Sequence, residues 1–554
     1  MLTLSRGRAL ASALIAMAVA SGCAEFAPRG GPALHMLVAE VAIDRGEYAV
    51  AAREYRLAAA KAKDPVIAER AAHVAFDNGQ DRELELTARE WLARDPKSEV
   101  ARRFDAVALL QLDRRSEAAE QFASLITSAY PTPGEAFTAL SESLADLRND
   151  TGAARTVAML AARYPALPEA AYAEGLLALA AGDSPSALTA AAQARTLRPG
   201  WREARWLEAR ARIAGGDCPR GLETASGLAA EAGDSDRLLY AWLLAACERP
   251  AEARPYFEDL ARTSSARAEA LEGLAALDLD AKRWNEANEH YSQILPTGRN
   301  SERAWYGLAT VADRKGEAAH AARLYARVTT GPRAIPAQLR AYRLLLATGE
   351  PFGAARQLDE FVATTAEDRV AVTAGRAQIL AEFGRGRDAL ALLDRAIAAY
   401  PDREEFRYAH ATVLERTGQV DGALRELRKV HQSRPLDPTA ANALGFTLAD
   451  HEQSLAEAET LIRGALAERP DSAAIRDSLG WVLYRRGQSG AALDWLKRAY
   501  AADPDPEIAT HLGEAEWAVG DQAGARAVWA AALERSPGDA HLTAALERHA
   551  GHSP

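Results

Sequence analysis

Cysteine and aromatic residues are scarce in this 554-residue sequence, and no strand pattern runs through it. There are three cysteines, and aromatic residues make up 6% of the chain. No long stretch alternates apolar and polar residues, as a strand with one buried face would. A chain of this length exceeds one ordinary hydrophobic core, so several domains or a repeat array are expected. The alanine-rich composition favours an all-helical repeat array.

Positive charge is also in deficit. The net charge is -11 and the isoelectric point is near 5.6. The 66 lysine and arginine residues are dispersed among 77 acidic residues, whereas binding to nucleic-acid phosphates needs a clustered basic surface. We therefore expect no nucleic-acid partner, and we interpret the mixed charges as solvated helix faces.

Catalytic motifs are missing as well. The sequence contains no His-Glu-x-x-His, Gly-x-Ser-x-Gly or Ser-x-x-Lys pattern and no Gly-x-x-x-x-Gly-Lys-Ser/Thr phosphate loop. The 11 histidines are scattered, and the segment HEQSLAE at 451–457 lacks the second histidine of a zinc motif. The sequence therefore predicts a protein that is not an enzyme, with no cofactor, no metal site and no small-molecule substrate.

The segment from Met1 to Cys23 has the features of a targeting signal. Arg6 and Arg8 precede the apolar stretch ALASALIAMAV (9–19), which is too short to span a bilayer, and the small-residue site ASGC follows at 20–23. Cys23 in this setting resembles a bacterial lipobox, which implies a signal peptide over 1–22 and a lipidated cysteine with a short tether over 23–32. Ala20 stands where leucine is most common, which leaves an ordinary cleaved secretory signal as the alternative.

The residue after the cysteine bears on the destination of the chain. Ala24 is not the aspartate that resembles an inner-membrane retention signal. The resemblance therefore implies sorting to the outer membrane, with the rest of the chain facing the periplasm.

The chain carries an internal repeat with a period of about 34 residues, which is typical of helix-turn-helix repeats. Two sets of residues return after one period: Gly487, Ala492 and Pro504 recur as Gly520, Ala525 and Pro537, and Gly384, Ala389 and Pro401 recur as Gly418, Ala423 and Pro435. A small residue in the first helix, a turn glycine, an alanine in the second helix and a closing proline resemble the tetratricopeptide repeat (TPR).

The resemblance to TPR proteins implies an all-α solenoid that forms a right-handed superhelix. We count about fifteen units over 33–538. The units over 33–435 are divergent, those over 436–538 match the pattern well, and 539–554 are predicted to form a capping helix and tail. A cap is expected because the last unit of an array otherwise exposes an apolar face.

Gly480 illustrates the packing that such a repeat demands. It lies between Leu479 and Trp481 in a segment with helical periodicity, where glycine costs about 1 kcal/mol relative to alanine. We expect the first helix of the unit to meet its own second helix here, so that close packing offsets the penalty. Ala309 and Ala377 occupy the equivalent place in other units.

Cys218 and Cys247 remain after Cys23 is assigned to lipidation. They are slightly less than one repeat period apart, and each falls near the turn between the two helices of its unit. Since neighbouring turns of a solenoid lie side by side, a disulfide is geometrically allowed in a compartment that permits one. The alternative is two free thiols that are buried or partly buried.

The function of a solenoid without catalytic motifs must lie in its surface. The usual binding surface is the concave face lined by first helices, and tyrosine, tryptophan and arginine are enriched at binding hot spots. The alternative is that about half of the candidates pack against a neighbouring repeat. The candidate protein-binding residues at inward positions are Tyr306, Arg314, Tyr408, Arg416, Asn442, Phe446, Trp481, Tyr484, Arg485 and Trp517.

A more specific resemblance lies in the last quarter of the chain. The stretches ANALGFTLAD (441–450), DSLGWVLYRRG (477–487) and 496–529, after a lipobox-like cysteine, are similar to proteobacterial TPR outer-membrane lipoproteins. Members of this group include adaptors of a periplasmic carboxyl-terminal processing protease. The resemblance implies an adaptor that recruits this protease and its cell-wall hydrolase substrates.

The sequence leaves three other functions open. The first is a scaffold for exopolysaccharide export or envelope assembly. The second is a structural link between the outer membrane and the cell wall, and the third is an enzyme with an unrecognised hydrolytic site.

Overall fold

The computed structural model describes residues 31–145, 150–230, 233–263, 265–295, 301–363 and 365–550. The predicted signal peptide, Cys23, nearly all of the tether and the last four residues lie outside these ranges. Within them the chain is all-α, as predicted, and contains no β-strand. None of the helices in these ranges combines the length and apolarity that a membrane crossing requires.

Helix bounds in the first part of the described chain are as follows. They are α1 Pro32–Asp44, α2 Tyr48–Ala62, α3 Pro65–Asp77, α4 Asp81–Leu92, α5 Glu99–Gln111, α6 Arg115–Ser128, α7 Pro133–Ala145, α8 Asp150–Ala161, α9 Pro168–Ala180, α10 Ser184–Leu197, α11 Arg202–Ala214, α12 Cys218–Ala230, α13 Asp234–Ala246, α14 Pro250–Thr263, α15 Arg267–Asp280, α16 Trp284–Ile294, α17 Ser301–Arg314 and α18 Ala318–Tyr325.

The remaining helices continue the same alternation. They are α19 Ala334–Ala347, α20 Pro351–Glu360, α21 Ala366–Glu382, α22 Gly386–Ala399, α23 Glu404–Arg416, α24 Val420–Ser433, α25 Pro438–Asp450, α26 Leu455–Glu468, α27 Ala473–Arg485, α28 Ser489–Ala502, α29 Pro506–Ala518, α30 Gln522–Arg535 and α31 Ala540–Ala550.

The helices described here pair in sequence. In chain order, helices α1 to α30 make fifteen successive helix-turn-helix units, which agrees with the number of units expected from the period. Odd-numbered helices are the first helices of their units and even-numbered helices are the second. Helix α31 follows the last pair and buries Leu542 and Ala545 in a cluster that contains Trp529.

The chain also divides into two larger compact bodies, each with its own core. We call them unit 1 and unit 2, always with the number, to distinguish them from the helix-pair units of the repeat. Among the described residues, unit 1 comprises those up to Arg333 with 365–367 and Ala399–Asp402, and unit 2 comprises Ala334–Ala363, Asp368–Ala398 and the residues from Arg403 to Ala550. Both cores are rich in alanine, with larger side chains such as Phe257 and Tyr291 in unit 1 and Ile462 and Leu496 in unit 2. Small residues allow the backbones of paired helices to approach closely.

Helix starts and turns follow from local sequence. Asp505 caps α29 by accepting a hydrogen bond from the Glu507 amide at 2.8 Å, and Pro506 occupies the first turn, where it loses no helical hydrogen bond. After α27, Gly487 has φ +75°, the left-handed conformation that closes many helices. Glu452 takes the same conformation after α25, with φ +53°.

Gly480 packs as the sequence predicts. A Cβ atom there would lie 2.5 Å from Leu496 Cγ and 3.2 Å from the Ala492 carbonyl oxygen. Both residues belong to α28, the second helix of the same unit. The equivalent Ala309 and Ala377 are fully buried.

Candidate functional site

The candidate binding residues all lie on first helices. Three positions recur relative to the small residue of each helix. Tyr408 and Asn442 lie three residues before it, Phe446 and Trp481 one residue after it, and Tyr484 four residues after it. Positions three, four and seven residues apart share one helix face. In unit 2 these side chains and their neighbours form what we call the first-helix surface: Tyr408, Arg416, Asn442, Phe446, Trp481, Tyr484, Arg485 and Trp517.

Trp481 is the best-packed member of the first-helix surface. Only 8% of it is exposed, and its Nε1–H donates to Asp450 Oδ1 of the preceding unit at 3.1 Å. Its ring stacks on His511 of the following unit with a centroid distance of 4.1 Å, and on Tyr484 at 5.1 Å. Trp481 therefore joins three successive units and offers little area to a partner.

His511 is held by a buried carboxylate. Its Nδ1 lies 2.9 Å from Asp477 Oδ2, and both residues are nearly inaccessible to solvent. Burial alone would lower the pKa of His511, but the charge and hydrogen bond of Asp477 raise it above the usual range for histidine. A protonated imidazole between Asp477 and the face of Trp481 gains from both the ion pair and the cation–π interaction.

Arg485 contacts both Trp481 and the end of the preceding first helix, α25. Its guanidinium lies 5.1 Å from the Trp481 ring centroid, and its Nη2 donates to the Asp450 carbonyl oxygen at 2.5 Å. It also pairs with Glu452 at 3.3 Å. Arg485 therefore stabilises the carbonyl end of α25, where a positive charge is favourable.

Trp517, near the end of the array, also packs against a histidine and an arginine. Its ring centroid lies 4.3 Å from that of His549 in α31, and Arg526 lies over it at 5.1 Å. His549 Nε2 is 3.1 Å from Glu514 Oε2. The half-buried Trp517 therefore contributes to the docking of the terminal helix.

Tyr408 and Asn442 differ from the tryptophans because each has a polar side-chain atom that makes no hydrogen bond within the described residues. Tyr408 Oη and Asn442 Oδ1 are buried atoms for which the described part of the chain supplies no hydrogen-bond partner. Burial raises the pKa of Tyr408, so its hydroxyl stays protonated and can donate. Such unpaired buried groups carry a free-energy cost.

The other members are more accessible. Arg416 is exposed, and Phe446 is half-buried with its ring 6.0 Å from His511. Together with Tyr408 and Asn442 they form the part of the first-helix surface that can contact a partner.

In unit 1 the structure places Tyr306 and Arg314 on α17. The Tyr306 ring packs 5.5 Å from Tyr325 and lies under the Arg333 guanidinium at 5.2 Å, and Arg314 is exposed. Arg333 also pairs with the buried Glu272 at 2.8 Å. Tyr306 is therefore partly covered by side chains of unit 1.

A groove of about 640 Å³ lies beside these residues in unit 1. Its lining includes Leu238 and Trp242 from α13, Glu272 from α15 and Arg333. The sequence pattern did not single out Trp242 or Arg333. Arg333 follows α18 in an irregular segment outside the repeat pattern, so no periodic signal marks it.

Cys218 and Cys247 are joined by a disulfide with their Cα atoms 5.8 Å apart. Cys218 begins α12, and Cys247 directly follows α13. The bond therefore links the second helix of one unit to the first helix of the next.

The buried carboxylates of unit 1 include one with several partners. Asp278 is 1% exposed and contacts Arg254, Arg283 and His290. Burial alone would raise the pKa of Asp278, but the hydrogen bonds from Arg283 and Arg254 lower it overall. This carboxyl group is ionised and structural, which is unsuited to general acid chemistry at neutral pH.

Comparison with known proteins agrees with this architecture. Tetratricopeptide-repeat profiles match residues 408–473, 447–507 and 478–540. A profile described as a bacterial transcriptional activator domain matches 342–436. The protein thus has the all-α fold of a TPR protein, the class of repeat that mediates protein–protein interaction.

The chain is similar to the TPR repeat-containing protein PA4667 of Pseudomonas aeruginosa. The two are 29% identical over 480 residues, which cover 86% of this chain and 81% of that protein.

Similar solved structures include a TPR protein of Thermus thermophilus, at 26% identity over 32% of this chain and 99% of that one, with a TM-score of 0.29. MamA of Desulfovibrio magneticus is 21% identical over 31% of this chain and 98% of that one, with a TM-score of 0.25.

Proposed function

We propose that the protein is a non-enzymatic scaffold that is anchored by a lipid to the outer membrane and binds periplasmic proteins. In the sharper form of this proposal it is an adaptor that recruits a carboxyl-terminal processing protease together with cell-wall hydrolases as substrates. The adaptor role comes from the resemblance of residues 436–538 and of the lipobox-like Cys23 to TPR outer-membrane lipoproteins.

The observation that carries the binding role is the accessible part of the first-helix surface. Arg416 is exposed, and the side chains of Phe446, Tyr408 and Asn442 are partly exposed, although Tyr408 Oη and Asn442 Oδ1 are themselves buried. An exposed guanidinium group together with partly exposed aromatic and amide side chains suits a protein partner, which can supply apolar contacts and hydrogen bonds at once.

The location outside the cytoplasm is supported by the disulfide. Disulfides persist in oxidising compartments such as the bacterial periplasm and are rare in the cytosol. The bond between Cys218 and Cys247 is therefore in keeping with the targeting signal over 1–22.

The mechanism we propose is tethering. A scaffold that holds a protease and a substrate at the same time raises their effective concentration to the millimolar range when the connection is short. No chemistry by the scaffold itself is required, which fits a chain without a recognised catalytic motif.

Affinity capture with paired variants tests the proposal. The chain from Ala24 onward is immobilised, incubated with periplasmic extract, and the bound proteins are identified by mass spectrometry. We expect capture of a carboxyl-terminal processing protease and cell-wall hydrolases. The double variant Arg416→Glu, Phe446→Ala is expected to lose most of this capture while keeping the helical circular dichroism of the wild type.

The matched control is the double variant Arg356→Glu, Phe352→Ala. It changes the same residue types on the second helix α20, where Phe352 is 90% exposed, and it should capture partners like the wild type. Equal loss in both variants, or no loss in either, would remove the first-helix surface from the binding site. Recovery of polysaccharide-export components, or of peptidoglycan alone, would contradict the adaptor role.

A further inference from the structure

The ends of two neighbouring first helices bring together three groups that can bind a metal ion. Glu415 lies in the last turn of α23, Asp450 is the last residue of α25, and His451 follows it. One ligand atom from each lies within 4.8 Å of the other two, and His451 Nε2 is 2.7 Å from Glu415 Oε1. We propose that Glu415, Asp450 and His451 form a binding site for one zinc ion.

The donor set suits zinc. One imidazole nitrogen and two carboxylate oxygens are among the ligands that Zn²⁺ accepts, at about 2.0–2.2 Å from the ion. Ligands at that distance are separated by about 3 to 4 Å in a tetrahedral site, so the contact between His451 and Glu415 would open slightly to admit the ion. The side chains of His451 and Glu415 are 28% and 31% exposed, so an ion can enter and water can complete the coordination.

The local electrostatics also favour a cation. Both α23 and α25 end at this site, and the carbonyl end of a helix carries a partial negative charge. The nearby Arg485 donates to the backbone oxygen of Asp450 and pairs with Glu452. Its charge is thus engaged by the backbone and by Glu452. The Asp450 carboxylate interacts electrostatically with His511, but its hydrogen bond comes from an uncharged donor.

That donor is Trp481, which orients the ligand. Its Nε1–H donates to Asp450 Oδ1 at 3.1 Å. Outer hydrogen bonds of this kind hold a metal-binding carboxylate in place and strengthen metal affinity. The site would tie the unit of α23 to that of α25 and connect, through Trp481, with a third unit. This inference does not depend on the proposed adaptor role.

No sequence motif marks this site, because Glu415 is distant along the chain from the adjacent Asp450 and His451. Glu415 precedes Asp450 by about one repeat period, and only stacking of successive units brings the two helix ends together. The sequence around His451 contains no second histidine that would suggest a metal motif.

Calorimetric titration of the chelator-treated full chain with Zn²⁺ tests the site. We expect one zinc ion per chain, with affinity reduced at least ~10-fold in His451→Gln and in Glu415→Gln because each removes a ligand. The control is His320→Gln, which alters an exposed histidine on α18 and should bind zinc like the wild type. Circular dichroism verifies that the variants fold.

A second variant separates a built site from a chance cluster. Trp481→Phe keeps an aromatic ring but removes the donor to Asp450, and we expect zinc affinity to fall by about 10-fold. No zinc binding to the wild type, equal binding in the wild type and both ligand variants, or equal binding after Trp481→Phe would overturn the proposal.

Discussion

Small residues occupy two distinct positions on the first helices, and each serves a different contact. Gly480 lies against Leu496 of the following helix, whereas Gly307 lies against the ring of Tyr291 in the preceding one. The two positions are two residues apart in the repeat, on different sides of the helix. Glycine is tolerated inside these helices because any side chain would separate the helix axes.

Enlarging the Gly480 position should destabilise unit 2. For Gly480→Leu we expect the free energy of unfolding to fall by about 1 to 3 kcal/mol, because the new side chain overpacks the contact with Leu496 and Ala492. Chemical denaturation followed by circular dichroism measures the change. Gly464→Leu is the control: a Cβ atom there meets nothing within 4 Å, so the better helix former should leave stability equal or higher.

At the scale of elements, successive units are joined by specific polar and covalent contacts in addition to apolar packing. The pair His511–Asp477 joins α29 to α27, the bond from Trp481 to Asp450 joins α27 to α25, and the disulfide joins α12 to α13. Each contact fixes the rotation of one unit relative to the next. Stability of such an array is close to a sum of units and nearest-neighbour interfaces, so these contacts act locally.

The interface of His511 should be pH-dependent. Its pKa is raised in the folded state, so its stabilising contribution is fully present below the unfolded value of about 6.5 and is lost as the pH rises through the folded value. We expect the stability advantage of the wild type over His511→Gln to be larger at pH 6 than at pH 9, measured as denaturation midpoints. An advantage that grows with pH would contradict this assignment.

The disulfide should stabilise unit 1. It joins residues 29 apart, and closing a loop of that length stabilises the folded state by about 3 to 4 kcal/mol in the chain-entropy model. The double variant Cys218→Ser, Cys247→Ser is therefore expected to lower the thermal midpoint of unit 1. Addition of a reductant should lower the wild-type midpoint to a similar value and leave the variant unchanged.

Much of the fold was predictable because a repeat displays its period many times. The turn residue Gly487 and the packing residue Gly480 recur along the chain, so the helix pairs could be placed from the sequence alone. Burial within the candidate surface was harder to predict. Trp481 and Arg416 both lie on first helices, but Trp481 is buried by His511 from another unit, which a single repeat cannot reveal. Contacts one period apart, such as Glu415 with His451, depend on stacking geometry for the same reason.

In the molecule as a whole, the described array of helix pairs provides a large accessible surface and few enclosed sites. The described chain builds fifteen pairs and a terminal helix, with aromatic and arginine side chains on first helices in both units. A scaffold role follows naturally from this, since separate units can hold separate partners. The particular partners that we propose come from the resemblance of the last units and the lipobox-like cysteine.

The most direct test of the central claim is a reconstituted degradation assay. A purified carboxyl-terminal processing protease is mixed with a cell-wall hydrolase, with and without the chain from Ala24 onward, and loss of the hydrolase is followed by gel electrophoresis. We predict faster degradation with the chain, and a return to the rate without it for the Arg416→Glu, Phe446→Ala variant. The same rate with and without the wild-type chain would contradict the adaptor function.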